Sequence, residues 1–442
     1  MNAPDMPLSA RLAALWDHLG LGAAHVATQV PGDVAGFAAV YPERIAGLTF
    51  CVPTRLDPAP FAALAGRVLM IAGDAGLTET LTARVAAALP GSRRVTLADY
   101  NAPGWADVVA DRGEAVVAAL RGQQARHPAA PPAAPPPQAG EHAGITYTAR
   151  GRGPALVLLP FFLAPSQWEP GLSDLARDFT VIVLGGRHLG GVAALEDRAQ
   201  APHYRALFAN LTDALAPRPG EAILDVGCGS GALDRLLAAR LGGANAITAT
   251  DINPFLLREA AALVRAEGCA GIEFREANAE TLPFADASFD VVFSVTVLEE
   301  CDADRALREM HRVLRPGGRA GVVVRAIDLP QWWHMDLPPA LAAKANVPPQ
   351  SVGPRGVADA SLYARMAAAG FRDLACFPSL VTLQRTEGPI WRYREDHVLA
   401  LLDADERAAW EAARESARRA GLLMMAHPLH AAVGVKPREQ AA

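Results

Sequence analysis

The sequence predicts an α/β protein with two sheet-containing domains. Short apolar stretches typical of strands alternate with helical stretches, which favours mostly parallel sheets. A Pro/Ala-rich segment at 122–141 divides this alternation in two, and a glycine-rich turn at 227–231 joins a strand directly to a helix. With 442 residues, 51% of them apolar, the chain is long enough for two or three domains with large cores.

The part before 122 opens with a helix and continues with strands. Apolar residues at helical spacing predict the helix: Leu12, Leu15, Trp16 and Leu19. Strand-like stretches follow at 25–28, 45–51, 67–71 and 94–97. We therefore assign 1–121 to the first half of a domain. The composition of 122–141 favours extended polyproline II, which cannot form a core, and predicts a linker.

The remainder of the chain continues the alternation. Residues 142–202 contain two further predicted strands, at 155–159 and 180–184. Residues 203–442 begin with a helix at 204–216 and are predicted to form one doubly wound domain. Its seven predicted strands are 222–224, 246–250, 272–276, 291–295, 319–324, 374–383 and 431–435. Ligands of such sheets bind at the carboxyl ends of the strands, where the strand order reverses.

Composition disfavours several classes of protein. The net charge is −6 and both signs are interspersed, which argues against nucleic acid as a partner. The five cysteines are scattered without metal-ligand spacing, so we expect no metal and free thiols in a reducing cytoplasm. The start of the chain lacks a signal pattern, and no apolar run approaches the roughly 20 residues of a membrane span. We therefore predict a cytoplasmic protein.

The glycine-rich turn is the most informative segment. In EAILDVGCGSG at 221–231 an apolar strand runs into Asp225, and Gly227, Gly229 and Gly231 follow. Glycines allow close approach of the backbone to a ligand and expose N–H groups at a helix N-terminus. The turn alone is compatible with NAD, FAD or S-adenosylmethionine, or with a tight turn that binds nothing.

Four sequence blocks, in order, resemble those of class I S-adenosylmethionine-dependent methyltransferases. They are ILDVGCGSG at 223–231, TATDINPFLL at 248–257, REANAETLPFADASFDVVFS at 275–294 and ALREMHRVLRPGG at 306–318. The resemblance extends over about 203–437 and is greatest to the ubiquinone/menaquinone-type small-molecule branch. It implies a Rossmann-like domain, S-adenosylmethionine as cofactor and a small organic acceptor.

The resemblance also implies where the cofactor lies. The implied cofactor-binding residues are Asp225, Gly227, Gly229, Gly231, Asp251, Ile252, Asn278, Ala279, Ser294 and Val295. Asp251 would accept hydrogen bonds from the ribose hydroxyls, at about 1.5–3 kcal/mol each. Ile252 would contact the adenine face, and Asn278 its edge. Asp251 could instead cap a helix, and Asn278 could merely close a turn.

Methyl transfer depends mainly on orientation, which contributes roughly 7–11 kcal/mol. A hydroxyl acceptor would also gain about 10²–10⁴-fold from a general base. The candidates are Glu299 and Glu300 after the fourth strand, and His334 within an aromatic segment at 331–335 that we expect to form a pocket lid. Both carboxylates could instead be solvated groups at a helix start, and His334 could have a packing role.

The N-terminal segments resemble an α/β-hydrolase in two pieces. Residues 12–50 and 67–77 resemble its later half, and 144–191 its early half. A nucleophile elbow would read Gly-x-Ser-x-Gly, whereas Val30 occupies the nucleophile position here. Three other positions also differ from the hydrolase pattern. Gly76 lies near the position of the catalytic acid, Asn101 lies near that of the catalytic histidine, and Pro160 and Phe161 replace the His-Gly often found at the oxyanion loop. Valine cannot attack a carbonyl, so we predict that this domain has no hydrolase activity. His188 is present in the sequence but has no nucleophile to activate.

The order of the two pieces suggests a circular permutation. A sheet of eight strands is roughly 35 Å wide, at about 4.8 Å per strand. Twenty residues of polyproline II reach roughly 60 Å, at about 3.1 Å each, so the linker can join opposite edges of one sheet. The alternative is an exchange of halves between two chains of a homodimer.

Two other functions remain open from the sequence. Gly227-x-Gly229-x-x-Ala232 nearly fits a dinucleotide fingerprint, which would indicate a nicotinamide-dependent oxidoreductase. A non-catalytic binding or assembly protein is the other alternative, because one domain has already lost its catalytic motifs. The blocks at 282–290 and 312–318 favour the methyltransferase, since dinucleotide-binding folds do not need them.

Overall fold

We describe the chain from a computed structural model, which covers residues 6–101, 107–186, 189–384, 386 and 388–438. The chain divides into two compact units, Met1–Ala194 and Leu195–Ala442. The division falls inside the helix Gly190–Gln200, close to the predicted domain boundary at 202. Each unit has its own sheet, so the α/β class predicted from the sequence is confirmed.

The first unit alternates strands and helices. Its strands are β1 (Ala24–Thr28), β2 (Ile45–Cys51), β3 (Val68–Gly73), β4 (Arg93–Leu97), β5 (Ala139–His142), β6 (Ile145–Arg150), β7 (Ala155–Leu158) and β8 (Thr180–Gly185). Its helices are α1 (Leu8–His18), α2 (Pro31–Val40), α3 (Gly76–Ala88), α4 (Val108–Arg126), α5 (Glu169–Leu175) and α6 (Gly190–Gln200), the last continuing into the second unit. Short 3₁₀ turns lie at Pro42–Arg44, Ala59–Arg67 and Pro165–Trp168.

These strands form one eight-stranded sheet in the order β4-β3-β2-β1-β7-β8-β6-β5. The central pair, β1 and β7, is parallel and joins segments from either side of the Pro-rich connection. Helix α4 continues to Arg126 and β5 starts at Ala139, so this connection comprises 127–138. The sequence did not predict β5 and β6, because β5 is mostly exposed and lies at the end of the Pro-rich segment.

The core of this unit lies on both faces of the sheet. Successive strand side chains point to opposite faces. Accordingly, Val26 and Ala27 are fully buried in two separate apolar clusters. The strands of the parallel centre are buried throughout, as expected for a sheet covered by helices on both sides.

The second unit contains the remaining elements. Its strands are β9 (Ile223–Val226), β10 (Ile247–Asp251), β11 (Ile272–Glu276), β12 (Phe289–Val295), β13 (Leu314–Arg325), β14 (Trp332–Trp333), β15 (Arg372–Cys376), β16 (Ser379–Leu383) and β17 (Met425–Val435). Its helices are α7 (Pro202–Leu215), α8 (Ala232–Arg240), α9 (Pro254–Glu267), α10 (Ala303–Val313), α11 (Pro339–Ala345), α12 (Ser361–Ala368), α13 (Pro389–Leu399) and α14 (Ala404–Arg419).

This sheet has nine strands, so the prediction of seven was wrong. The main order is β11-β10-β9-β12-β13-β17-β14, and β15 and β16 also pair with β17. The 11-residue strand β17 is long enough to pair with β13 and β14 along one edge and with β15 and β16 along the other. The predicted strand 374–383 is therefore two strands, separated by an irregular Phe377–Pro378 step.

The order of the parallel strands reverses between β9 and β12. From β9 the chain proceeds outward through β10 and β11, and it returns to the other side of β9 as β12. Such a reversal opens a crevice at the carboxyl ends of the two central strands, which is where ligands bind in open α/β sheets. The glycine-rich turn follows β9, and Glu299 follows β12.

Three further features concern the cysteines, groups of metal ligands and membrane-spanning helices. All five cysteines are free thiols. Among the described residues, no set of three or more His, Cys, Asp or Glu side chains is grouped as a metal site would require. No described helix combines the length and the apolar composition needed to cross a bilayer.

Candidate active site

The glycine-rich turn has a backbone that requires glycine. Gly227, Gly229 and Gly231 have φ angles of 85°, 58° and 69°, in the left-handed region that side chains disfavour. A Cβ atom on Gly227 would lie 2.2 Å from Cγ2 of Val297, and one on Gly229 would lie 2.9 Å from Cδ1 of Leu195. The backbone conformation therefore disfavours a side chain at all three glycines, and close packing adds to this at Gly227 and Gly229.

Asp251 ends β10 beside this turn. Its Oδ2 accepts a hydrogen bond from the Gly229 N–H at 3.0 Å, and its Oδ1 accepts one from the Asn253 N–H at 3.0 Å. Burial raises the pKa of Asp251, although these two hydrogen bonds oppose the shift. The helix that follows is capped by Asn253, whose side chain accepts from Phe255 and Leu256 N–H groups, so Asp251 is not the helix cap.

Two further carboxyl groups lie at the same turn. Asp225 is 2% exposed and Asp234, in the first turn of α8, is fully buried. Burial first, and then the charges of Asp234 and Asp251, raise the pKa of Asp225 well above its usual value. Burial raises the pKa of Asp234 to about 7, although a hydrogen bond with Asp225 opposes the shift. Three carboxyl groups thus lie at the turn, and a cation bound beside them would favour their ionised forms.

These features fit S-adenosylmethionine. Its sulfonium and ammonium groups are cations, which the carboxyl groups of Asp225, Asp234 and Asp251 would stabilise. Ile252 is 59% exposed directly after β10, where an apolar ligand face could cover it. The sequence did not single out Asp234, because an acidic residue in the first turn of a helix is common for purely local reasons.

The other residues predicted to bind the cofactor have structural contacts of their own. Asn278 is exposed, and its Oδ1 accepts the Glu280 N–H at 2.9 Å, which closes a turn. Ser294 is fully buried, and its hydroxyl donates to the Val226 carbonyl at 2.8 Å, joining β12 to β9. Ala279 and Val295 are half-buried at the ends of β11 and β12 and pack against the apolar clusters of the sheet.

Glu299 and Glu300 occupy different environments. Glu299 is 1% exposed; its Oε1 accepts the Arg325 N–H at 2.7 Å, and its Oε2 has no partner. Burial raises the pKa of Glu299 to about 7, even though the charge of Arg325 lowers it. Glu300 is exposed and pairs with the Arg325 guanidinium at 3.1 Å. Neither caps α10, since Asp302 accepts the Arg305 N–H there.

The aromatic segment after β13 does not form a lid as predicted. Trp333 is 4% exposed and packs edge-on against Trp391 and Trp410 in the core. The ring of His334 lies beside Trp332, and its Nδ1 is hydrogen-bonded to the Leu422 carbonyl at 2.8 Å. Pairing of β14 with β17 fixes this arrangement, which the sequence did not indicate.

Glu299 belongs to a polar cluster whose other members sequence reasoning missed. We define the cluster as Arg198, Tyr204, Glu299, Arg394 and His427, of which Arg198 is half-buried and the others are buried. The Tyr204 hydroxyl and Nε2 of His427 are 2.8 Å apart. The charges of both arginines and of Glu299 act on the pKa of Tyr204. Apart from Arg198 and Tyr204, these residues are far apart in sequence, so no spacing pattern could have grouped all of them.

The cluster reaches the end of β12 through one further contact. Arg198 donates from Nη1 to Oγ1 of Thr296 at 2.7 Å. Thr296 has a φ of 58°, an uncommon conformation for a residue with a branched side chain. The Arg198 charge also lowers the pKa of Asp225, which connects the cluster electrostatically with the glycine-rich turn.

Comparison with known proteins assigns this part of the chain. Residues 224–322 match the protein family described as Methyltransf_11, methyltransferase domain. The chain is 41% identical over 108 residues to the ubiquinone/menaquinone biosynthesis C-methyltransferase UbiE of Xanthomonas campestris, covering 24% of this chain and 43% of that protein. It is 38% identical over 136 residues to the uncharacterized protein Rv1405c of Mycobacterium tuberculosis, covering 30% of this chain and 47% of that protein. The chain thus spans less than half the length of these relatives.

Solved structures give only weak similarity. The YcgJ protein of Bacillus subtilis has a TM-score of 0.37 and 19% identity, over 53% of this chain and all of that one. The [4+2]-cyclase SpnF has a TM-score of 0.35 and 24% identity, over 53% of this chain and 81% of that one. The assignment therefore depends on the sequence matches, which place a segment matching a methyltransferase domain in the second unit.

Proposed function

We propose that this protein transfers a methyl group from S-adenosylmethionine to a small organic acceptor. The observation that carries the proposal is the position of the glycine-rich turn and Asp251 at the reversal of strand order, within the segment that matches methyltransferase domains. The same arrangement disfavours the nicotinamide alternative, because the matching segment includes the blocks that dinucleotide-binding folds do not need. A cytoplasmic location and a homodimer stay predictions from the sequence.

The residues divide into donor-binding and acceptor-activating groups. Gly227 and Gly229 would offer close backbone contact to the donor, and Asp251 would hold its ribose. When bound, S-adenosylmethionine supplies the methyl group to a lone pair of the acceptor, and the electrons of the broken C–S bond stay on sulfur. Glu299 would take the proton that the acceptor oxygen or nitrogen releases. His334 and Glu300 have contacts that do not favour this role.

Calorimetry with S-adenosylhomocysteine and with NAD tests the donor assignment. We expect the wild-type protein to bind S-adenosylhomocysteine and not NAD. Asp251→Ala should weaken this binding at least tenfold, or about 1.4 kcal/mol, because it removes the ribose acceptor and releases the Gly229 N–H. The exposed Asp405 on α14 provides a matched control, since Asp405→Ala should leave the affinity unchanged.

Other outcomes would select other functions. Wild-type affinity in Asp251→Ala would contradict the ribose assignment. Binding of NAD alone would support the oxidoreductase. Binding of S-adenosylhomocysteine without transfer of labelled methyl groups to any component of host extract would support the non-catalytic alternative. A labelled product from the same incubation would identify the acceptor.

For the first unit, we propose a circularly permuted hydrolase-like scaffold without hydrolase chemistry. Strands β4 and β5 lie at opposite edges of the sheet, and the chain between them contains the Pro-rich connection, as a permutation requires. Val30 lies between β1 and α2, in the strand-turn-helix context of a nucleophile elbow. A Cβ on Gly76 would lie 2.1 Å from Asn101 Oδ1, so the positions of the acid and the histidine are adjacent.

Ester hydrolysis tests this second proposal. We expect no turnover of p-nitrophenyl acetate above the buffer rate, and no gain in Val30→Ser, because no triad histidine is present at position 101 to activate a serine. His188 lies outside the described residues. Turnover that a serine-directed phosphonate inhibits would contradict the proposal. Mass measurement in solution with crosslinking between the halves would separate a permuted monomer from an exchanged dimer.

A further inference from the structure

The polar cluster contains the buried Arg394 and the half-buried Arg198, neither of which has an anionic partner among the described residues. Arg394 is 5% exposed; its Nη1 donates to Oε1 of Gln331 at 3.0 Å, and its Nε has no hydrogen-bond partner. Arg198 donates to the neutral hydroxyl of Thr296. Among the described residues, neither arginine forms an ion pair. A buried guanidinium without a counter-charge is costly, unless a ligand supplies one.

The other members of the cluster do not neutralise these charges. Burial raises the pKa of the Tyr204 hydroxyl, so it is neutral. Burial, with the charges of Arg394 and Arg198 adding to it, lowers the pKa of His427 well below its usual value, so the imidazole is neutral as well. Arg325 pairs with both Glu299 and Glu300, at 3.5 Å and 3.1 Å. The three arginine charges of Arg198, Arg325 and Arg394 thus face two carboxylates once Glu299 is ionised, which leaves one net positive charge.

One net positive charge matches a monoanion. A carboxylate can accept from the free Nε of Arg394 and can pair with guanidinium groups in a planar geometry. A dianionic phosphate would exceed the available charge and would be repelled by ionised Glu299. The unpartnered Oε2 of Glu299 gives the same site an acceptor for a hydroxyl or amine proton.

Arg394 is the member of the cluster that lines a narrow cleft in the second unit, together with Arg325, Tyr393 and Pro428. A ligand in this cleft would therefore meet Arg394. Arg198 acts on the pKa of Asp225 beside the glycine-rich turn.

We propose that the methyl acceptor is a small organic acid whose carboxylate binds Arg394, with Arg198 as the second cation and Glu299 beside the atom that receives the methyl group. That the bound acid is the methyl acceptor rests on the proposed methyl transfer. Binding of a carboxylate at Arg394 can be measured without turnover, so the experiment can contradict carboxylate binding and methyl transfer independently.

Three probes of similar size test the charge preference. Full-length protein saturated with S-adenosylhomocysteine is titrated with benzoate, benzamide and phenyl phosphate by calorimetry at pH 8. Benzoate should bind at least tenfold more tightly than benzamide, which has the same shape without the charge. It should also bind more tightly than phenyl phosphate. Equal affinity for benzoate and benzamide, no binding of benzoate, or tighter binding of phenyl phosphate would overturn the proposal.

Variants test whether the preference for benzoate over benzamide depends on the cluster. Arg394→Gln should abolish the tenfold preference, Arg394→Lys should restore part of it, and Arg418→Gln on the exposed face of α14 should leave it intact. Unchanged affinity of Arg394→Gln for S-adenosylhomocysteine would show that the fold and the donor site persist. If Arg394→Gln does not fold, Arg198→Gln serves as the second variant, and a retained preference there would contradict the proposal. Failure of the wild type to bind S-adenosylhomocysteine would instead defeat the proposed function.

Discussion

Glu299→Gln should slow methyl transfer by about 10²- to 10⁴-fold and leave the affinity for S-adenosylhomocysteine unchanged. The amide keeps an oxygen for the Arg325 N–H but cannot accept the acceptor's proton. The measurement is the rate of transfer of labelled methyl groups to the acceptor identified from host extract. Glu300→Gln is the matched control, because Glu300 is exposed and contacts the other side of Arg325. A wild-type rate in Glu299→Gln would exclude Glu299 as the base.

The pH dependence of the methyl-transfer rate should also identify Glu299 as the base. Burial raises the pKa of Glu299 from 4.5 to about 7, and only the carboxylate form accepts a proton. The rate should therefore rise with pH through about 7 and level off above it. The slope should be absent from Glu299→Gln. A profile that rises only far above pH 7 would assign the proton transfer to another group.

Stability should change with pH in the opposite direction. The folded-state pKa of Glu299 lies above the unfolded value, so the folded state holds its proton more tightly. The contribution of this group to the free energy of unfolding is therefore present below pH 4.5 and is lost as pH rises through about 7. Glu299→Gln should lose less stability over this range, which denaturation at pH 5 and at pH 8 would measure.

Gly227→Ala should reduce the free energy of unfolding by about 2–5 kcal/mol and abolish binding of S-adenosylhomocysteine. A left-handed conformation costs an alanine roughly 1–2 kcal/mol, and overlap in a packed interior costs roughly 1–3 kcal/mol more. The overlap is with Val297, whose Cγ2 would lie 2.2 Å from the new Cβ. Chemical denaturation gives the stability, and calorimetry gives the binding.

The chain offers controls that separate the two contributions. Gly242 has a φ of 61° and open space around its Cβ position, so Gly242→Ala should show the backbone cost alone. Adding Val297→Ala to Gly227→Ala should restore the free energy of unfolding that is lost through overlap with Val297. It should not restore the free energy that is lost through the left-handed backbone conformation. If Gly227→Ala is as stable as Gly242→Ala, the turn relaxes and its fit to Val297 is not needed for folding.

The features that could be predicted from the sequence are local ones. The glycine-rich turn could be predicted because an apolar strand, three glycines and a helix lie within about a dozen residues. Most strands of both sheets were recognised for the same reason, since each is a short apolar stretch between turns. The resemblance to the methyltransferase blocks also implied that Asp251 lies beside the turn, and the Gly229 N–H donates a hydrogen bond to Asp251.

The features that were missed depend on tertiary contacts. Arg394 and His427 are remote from Tyr204 in sequence, and only the pairing of β17 and the packing of α13 bring them to it. Trp333 was assigned to a pocket lid because it belongs to an aromatic segment after the fifth predicted strand. The sequence does not give the direction of a side chain, and that of Trp333 is buried in the core.

The pairing of β1 with β7 has a consequence for how the chain is made. His25 pairs with Leu156, so the partner of β1 leaves the ribosome long after β1 itself. At about 5–20 residues per second, this delay is on the order of ten seconds. During that time the nascent chain exposes the unpaired edge of a strand that is buried throughout in the folded protein, which is an aggregation hazard. We therefore expect production of this protein to depend on chaperones and on growth temperature more than that of a chain whose sheet is assembled from its first strand outward.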